Sequence, residues 1–152
     1  MSIEIRVAVL EDLPQIVALM NAGAVGARAQ LESTDLASYQ RAFLEILQAD
    51  EVDIYVLCEL GNGHVLATCQ LTLEKGLAFQ GRSRASVESM HTRASHRGQG
   101  LGRALLQYVI EVARARGAVL VQLTSNATRA DAHRFYLREG FEQTHLGFKL
   151  ML

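Results

Sequence analysis

The tightest constraint on this chain is the run Arg97-Gly98-Gln99-Gly100-Leu101-Gly102, which leads straight into the helix-forming stretch Arg103-Ala104-Leu105-Leu106-Gln107-Tyr108-Val109-Ile110. Three glycines at alternate positions let backbone N–H groups turn toward one point without interference from a Cβ. The helix that follows aims its positive N-terminal end at the same point. Such a turn cradles an anion. The preceding Ser86-Val87-Glu88-Ser89-Met90-His91-Thr92 reads as a strand, so the order is strand, glycine loop, helix, as in many nucleotide and cofactor sites. A dinucleotide fingerprint is excluded, because Arg103 stands where G-x-G-x-x-G needs its third glycine. A Walker loop is excluded too, since Gly102 is followed by Arg103 and Ala104 instead of Lys and Ser or Thr. Glycine-rich turns before helices also serve as plain structural punctuation, and this segment alone leaves that alternative open.

At 152 residues the chain is expected to form a single domain, 1–152, with one substantial core. Apolar residues make up 49% and charged residues 20%, the balance of an ordinary globular protein and not of a disordered or fibrous one. A net charge of −1 gives no general attraction to nucleic acid or to an anionic membrane, so anion binding must come from a local site. No apolar run reaches membrane-spanning length, and the first six residues lack the charge order and apolar core of a secretory signal. A cytoplasmic location is expected. Cys58 and Cys69 fall in apolar segments that read as adjacent strands, which suits small buried packing residues better than a disulfide or a nucleophile. If those strands join through Asn62-Gly63, Cys58 faces Ala67 and Cys69 faces Val56, leaving the thiols diagonal. The five histidines are scattered over separate elements with no metal-ligand spacing, so no metal is expected.

Along the chain, 3–9 alternates with strand period, and Glu11-Asp12-Leu13-Pro14 gives an acidic helix start with proline in the first turn. Ile16, Val17, Leu19 and Met20 line one face of that helix, and Tyr39, Phe43, Ile46 and Leu47 line one face of a second, between Asp35 and Ala49. Two alternating segments, 53–60 and 64–73, flank Gly61-Asn62-Gly63, a strong hairpin signal. A polar connection over 74–84 precedes the motif strand, which begins near Ala85. A helix over 101–116 stops at Gly117, and 118–124 reads as a largely buried strand. A helix over 129–139 ends at Gly140, and two short strands, 141–144 and 148–152, close the chain. The sum is α/β: a mixed central sheet in the order βααβββαβαββ, with helices on both faces.

Arg97, Gly100 and Gly102 meet the R-x-x-G-x-G/A pyrophosphate loop of the GNAT superfamily of N-acetyltransferases, and the element order resembles the GNAT fold over nearly the whole chain. Ala132-His133-Arg134-Phe135-Tyr136 followed by Gly140-Phe141 resembles the next motif of that family, A-x-x-x-Y and then Gly-Phe. The resemblance implies acetyl-CoA as cosubstrate and no metal. It implies that the backbone of Met90, His91 and Thr92 bonds the pantetheine arm and that Arg97, Gly98, Gln99, Gly100, Leu101 and Gly102 hold the pyrophosphate. Arg97 and Arg103 are placed for direct phosphate contact, the alternative being a solvated pair flanking a helix start. Phe135 and Asn126 complete the cofactor contacts. Asn126 stands in for an asparagine that the family carries three residues before the motif alanine, a position occupied here by Arg129.

Acetyl transfer from a thioester to an amine needs a neutral amine, a polarised carbonyl and a proton for the leaving thiolate. Alkyl amines have pKa values of about 10.4, so a base must collect a proton or the small neutral fraction must be selected. Glu88 is the best-placed base, directly or through water, against the plainer reading of a solvent-facing strand carboxylate. His91 is the weaker candidate. Tyr136 matches the tyrosine that protonates the CoA sulfur in many family members. A phenol of pKa about 10 donates to a thiolate whose conjugate acid lies near 8.5, somewhat uphill. Its plainer role is packing beside Phe135. The acceptor is a small-molecule or peptide amine, and Glu32, Asp35 and Glu45 would favour a cationic one. No nucleic acid or membrane partner is implied, and the chain is expected as a monomer or homodimer. A non-catalytic acyl-CoA sensing module and an unrelated nucleotide-binding domain remain as alternatives.

Overall fold

The computed structural model describes every residue, Met1–Leu152, and divides into two units, Met1–Gln122 and Leu123–Leu152. The first unit is built on a five-stranded sheet in the spatial order of the sequence: β1 (Ile3–Val7), β2 (Val52–Glu59), β3 (His64–Glu74), β4 (Arg84–Thr92) and β5 (Leu120–Gln122). The first four strands pair antiparallel, and β5 joins β4 in parallel. Its helices are α1 (Leu13–Gly23), α2 (Ala27–Leu31), α3 (Leu36–Gln48) and α4 (Leu101–Ala115). The expected mixed α/β class is the one observed.

Alternation along the strands assigns the two faces. Ile54, Val56 and Cys58 of β2 pack with Leu13, Ile16 and Val17 of α1 and Phe43 of α3. The intervening Tyr55 meets Tyr108 of α4 edge to face, with ring centroids 5.8 Å apart. Helix α4 buries Leu101, Leu105, Leu106, Val109 and Ala113, a stripe of helical period. Helix α3 begins where Asp35 Oδ1 accepts the Ala37 amide at 3.1 Å, satisfying one of the orphan donors of the first turn.

The β2–β3 hairpin forms at the expected place with a different register. Glu59 pairs with His64, so the loop has four residues instead of two, and a bulge at Leu57/Cys58 shifts the ladder once more. Cys58 therefore pairs with Val65 and Cys69 with Tyr55, which puts the thiols on opposite faces of the sheet. Both are free and buried. Burial pushes the Cys69 thiol up to about 12, the wrong direction for a nucleophile.

The second unit holds α5 (Ala130–Arg138). Gly140, at φ 94°, turns the chain so that the Phe141 amide bonds the Tyr136 carbonyl at 3.0 Å. The strands expected at 141–144 and 148–152 are not formed. A strand exists only where a neighbour completes its hydrogen bonds, and the last such backbone bond runs from Thr144 N to Glu142 O, a local turn. For the same reason β5 has three residues where seven were expected: Leu120, Val121 and Gln122 form the ladder with Arg84, Ala85 and Ser86, and Val119 adds one amide bond to the Ser83 carbonyl at 2.9 Å just before it.

Candidate active site

Strand β4 is nine residues long, yet β5 pairs with only its first three. Beyond Ser86 the two strands part, and residues 87–92 of β4 keep β3 on one side and no strand ladder on the other. The β4 backbone is also bulged. Thr68 pairs with His91 and Gln70 with Glu88, so Ser89 and Met90 together oppose the single residue Cys69. Ser89 takes a left-handed φ of 49°, a conformation that costs a non-glycine residue roughly 1–3 kcal/mol and gathers at functional sites. The bulge brings Glu88 and His91, three apart in sequence, onto one face of the sheet, because their partners Gln70 and Thr68 are two apart.

The glycine loop stands at the end of this strand. After a short turn over Ala94–His96, Gly98 and Gly100 adopt φ of 75° and 80°, and Gly100 caps α4 in the left-handed conformation. No atom lies within 4 Å of where a Cβ would stand on either glycine, so the approach to these amides is open. The first amides of α4 have no helical carbonyl to serve. Leu101 is buried and anchors the helix start, while residues 97–100 are exposed. The Arg97 guanidinium Nε donates back to the Thr92 carbonyl at 3.4 Å, tying the loop to the end of β4. Positive-φ glycines, exposed loop residues and the start of α4 thus stand together at the end of β4.

The two titratable residues of β4 part company in environment. Glu88 is exposed. His91 is 6% exposed, and its ring fills the space beneath the last residue of α1: a Cβ on Gly23 would meet His91 Nδ1 at 2.2 Å. Its ring is therefore packed against a helix and not presented beside Glu88.

Around Glu88 the face carries polar side chains that the sequence did not single out. Ser86 Oγ donates to Glu74 Oε1 at 2.7 Å, Gln122 Nε2 donates to Ser86 Oγ at 3.2 Å, and Gln70 Nε2 donates to Thr72 Oγ1 at 3.3 Å. Toward α1 and α3 this floor gives way to a cavity of about 190 Å³, lined by Ile16, Met20, Phe43 and Ile54 with Gln70 and Ser89 among its polar members. Arg28 of α2 reaches over it, donating from Nη2 to Ser89 Oγ at 3.2 Å and from Nε to Glu32 Oε2 at 3.0 Å. Glu32 also accepts the Tyr39 hydroxyl at 3.0 Å. Glu32 and Asp35 are thus engaged in holding α2 and starting α3, and are not free acidic groups for a cationic acceptor. The signal for this polar floor lies in strand pairing, which no single segment of sequence reveals.

In the second unit Tyr136 is half-buried, flanked by Phe135 at a centroid distance of 5.2 Å and by Phe141 edge to face at 5.8 Å. Asn126 Oδ1 turns into its own loop, accepting the Thr128 amide at 3.0 Å and the Thr128 hydroxyl at 2.7 Å. Only its amide nitrogen is left for a ligand. His133 Nε2 lies 2.9 Å from the Asn126 carbonyl and helps to fix that loop. Ser125 Oγ is buried with no hydrogen-bond partner, a position that a ligand's polar group would satisfy.

Residues 24–141 match the model of the Acetyltransferase (GNAT) family. The aminoalkylphosphonate N-acetyltransferase of Salmonella typhimurium is 33% identical over 147 residues, which cover 95% of this chain and 88% of that one. A transcriptional regulator from Bacillus halodurans, known from its crystal structure, is 36% identical and superposes with a TM-score of 0.91 over 99% of this chain and 100% of its own. Glucosamine-6-phosphate N-acetyltransferase from Arabidopsis thaliana, at 20% identity, shares the fold with a TM-score of 0.83 over 99% of each chain.

Proposed function

Because the chain belongs to the GNAT acetyltransferase family, we propose that it transfers the acetyl group of acetyl-CoA to the nitrogen of a small-molecule amine by direct attack while both are bound. The observation that most supports this reading is the parting of β4 from β5 beside a glycine loop with Gly98 and Gly100 at positive φ. In this reading the pantetheine arm lies along the open backbone edge of β4 at Met90, His91 and Thr92, bonded as a neighbouring strand would be. The amides of residues 98–102 receive the pyrophosphate at the positive end of α4, with Arg97 and Arg103 adding charge. Asn126 contributes its amide nitrogen, and Phe135 the apolar wall.

The amine lone pair attacks the thioester carbonyl carbon, the C–N bond forms, the C–S bond breaks, and the sulfur leaves as a thiolate. Glu88 collects the proton that the amine gives up, directly or through water, and Tyr136 supplies the proton that the thiolate takes. The acceptor reading rests on the Salmonella relative, whose name states an aminoalkylphosphonate substrate. A small amine bearing an anionic group also suits Arg28 at the rim of the Glu88 face. A second reading, a module that binds acyl-CoA without turnover, is kept because the Bacillus halodurans protein is named a transcriptional regulator and not a transferase.

Calorimetric titration with acetyl-CoA, with ATP and NAD as controls, tests the first step. Saturable binding of acetyl-CoA alone is expected, and Gly100→Glu should weaken it at least ~100-fold by bringing bulk and charge to a left-handed cradle position. Unchanged affinity would remove the pyrophosphate assignment. A screen of aminoalkylphosphonates, phosphorylated amino sugars and peptide amines then separates turnover from sensing.

A further inference from the structure

The cavity beside the Glu88 face carries a statement about the acceptor that rests on the acetyl-transfer reading above. We infer that the acceptor is a compact primary amine whose amine-bearing carbon also carries an acidic group and a hydrocarbon side chain. Arg28 reads the acid, and the cavity between α1, α3 and the sheet receives the side chain. That cavity measures about 190 Å³, although protein interiors leave few voids larger than a water molecule. Its wall runs from fully buried Ile16 and Phe43 to half-buried Met20, Tyr39, Ile46 and Ile54, so one side of it lies near solvent. An apolar cavity of about 150 Å³ stays dry and takes a benzene ring. A branched chain of four carbons or a small ring therefore fits here, and a polar chain would leave its hydrogen-bonding groups unmet.

The polar members of the same cavity set what stands beside that side chain. Gln70 and Ser89 both line it. Gln70 is the ladder partner of Glu88, so the two share a sheet face with their Cβ atoms about 5 Å apart. Arg28 arrives from α2 with its guanidinium already oriented: Nε donates to Glu32 Oε2 at 3.0 Å and Nη2 to Ser89 Oγ at 3.2 Å, which leaves Nη1 uncommitted. The Arg28 side chain is 41% exposed, so an anion can reach it. Glu32 also accepts the hydroxyl of Tyr39, itself part of the cavity wall, and this ties the acid reader to the hydrocarbon reader.

Glu88, Arg28 and the cavity thus meet around Ser89, and one tetrahedral carbon can satisfy all three. Its amine turns toward Glu88, its acid toward the guanidinium fork, which matches two oxygens of a carboxylate or a phosphonate, and its hydrocarbon enters the cavity. Three different contacts to one carbon also distinguish mirror images, because exchanging any two substituents puts a charge in the apolar cavity or an alkyl group on Arg28.

The test uses the full chain and two readouts: release of the CoA thiol from acetyl-CoA, and calorimetric binding of each acceptor without acetyl-CoA. The acceptors are leucine against glycine, the 1-aminophosphonic analogue of leucine against aminomethylphosphonate, and isopentylamine, which keeps the hydrocarbon and lacks the acid. In at least one pair the branched member should exceed its side-chain-free partner by ~10-fold or more in kcat/KM, as expected for burying a side chain of that size. It should exceed isopentylamine by ~10-fold or more, and one enantiomer should exceed the other by a similar factor. The better pair tells carboxylate from phosphonate. Ala42→Phe, at an exposed α3 position that lines the cavity, should bring the side-chain preference toward one. Arg28→Gln should do the same to the acid preference, and Arg28→Lys should restore part of it. Each variant is read as a ratio between acceptors, so a loss of folded protein cancels. Turnover that ignores side chain, acid and handedness overturns the inference and leaves acetyl transfer standing. Binding that follows all three with no turnover upholds the recognition and removes acetyl transfer. A branched acid that is neither bound nor turned over overturns the inference as well.

Discussion

Residues 1–122 and residues 123–152 solve the problem of burial in different ways. Every residue buried as a whole belongs to the first unit, and in the last thirty residues burial reaches single atoms such as Ser125 Oγ. The difference is not one of composition, because the last thirty include Leu123, Phe135, Tyr136, Phe141, Phe148 and four further leucines. It is one of opposed surfaces. The first unit has a sheet with helices on both faces, so each apolar stripe meets another. The second has one helix of nine residues and an extended segment, and a helix that short is marginal without a surface to dock on. Apolar content becomes a core only where two faces can meet.

The largest expected effect comes from attacking the first unit at its centre. Phe43 is 2% exposed among α1, α3 and β2, and Phe43→Ala should cost about 3–5 kcal/mol in urea unfolding. Leu137→Ala on the half-exposed side of α5 should change that stability by less than about 0.5 kcal/mol, as for other surface substitutions. Equal losses would dissolve the contrast between the units.

A sharper probe asks whether the second unit contributes chemistry instead of stability. Tyr136→Phe keeps the ring that packs between Phe135 and Phe141 and removes only the hydroxyl. Turnover should fall on the order of 100-fold if the hydroxyl supplies the leaving-group proton, with acetyl-CoA affinity unchanged by titration. A drop in affinity without a drop in turnover number would make Tyr136 a cofactor contact only.

Within the first unit, Gly23→Ala should destabilise by about 2 kcal/mol, although the same change at an exposed helix position gains stability. The sign is set by His91, whose Nδ1 lies 2.2 Å from the new Cβ on a ring held inside the core. Thermal melts of Gly23→Ala with and without His91→Ala measure this. If the second substitution fails to recover part of the loss, the ring is not what limits the site.

What was legible in the sequence was local. The helical stripe of α4 and the Gly61-Asn62-Gly63 turn each depend on a few adjacent residues, and each stands where it was expected. What required pairing was not legible. The four-residue hairpin loop and the bulge at Leu57/Cys58 moved the cysteines onto opposite faces, and nothing in Val-Glu-Ser-Met-His announces that Ser89 is left-handed. The Glu74, Ser86 and Gln122 cluster forms because three strands bring it together.

The smallest effect concerns how the first unit is closed at its start. The sequence reads Asp12 as one acidic residue opening a helix, yet the structure makes it a hub. It is 4% exposed, accepts Arg6 Nη1 at 2.7 Å and Nη2 at 3.1 Å, and accepts the Val9 amide at 2.8 Å. Burial alone would raise its pKa, but the Arg6 hydrogen bond, the Val9 amide and the Arg6 charge outweigh it and leave the group below its ordinary 3.8. A carboxyl depressed in the folded state adds stability that is complete above the unfolded value and is lost as pH falls through the folded one. Asp12→Asn should therefore cost about 1.5 kcal/mol at pH 7, and the gap to the parent should close progressively below pH 3.8. Melting both proteins across pH 7 to pH 2 checks this. A gap that stays constant through the acid range would mean that the carboxylate's shape, and not its charge, holds β1 to α1.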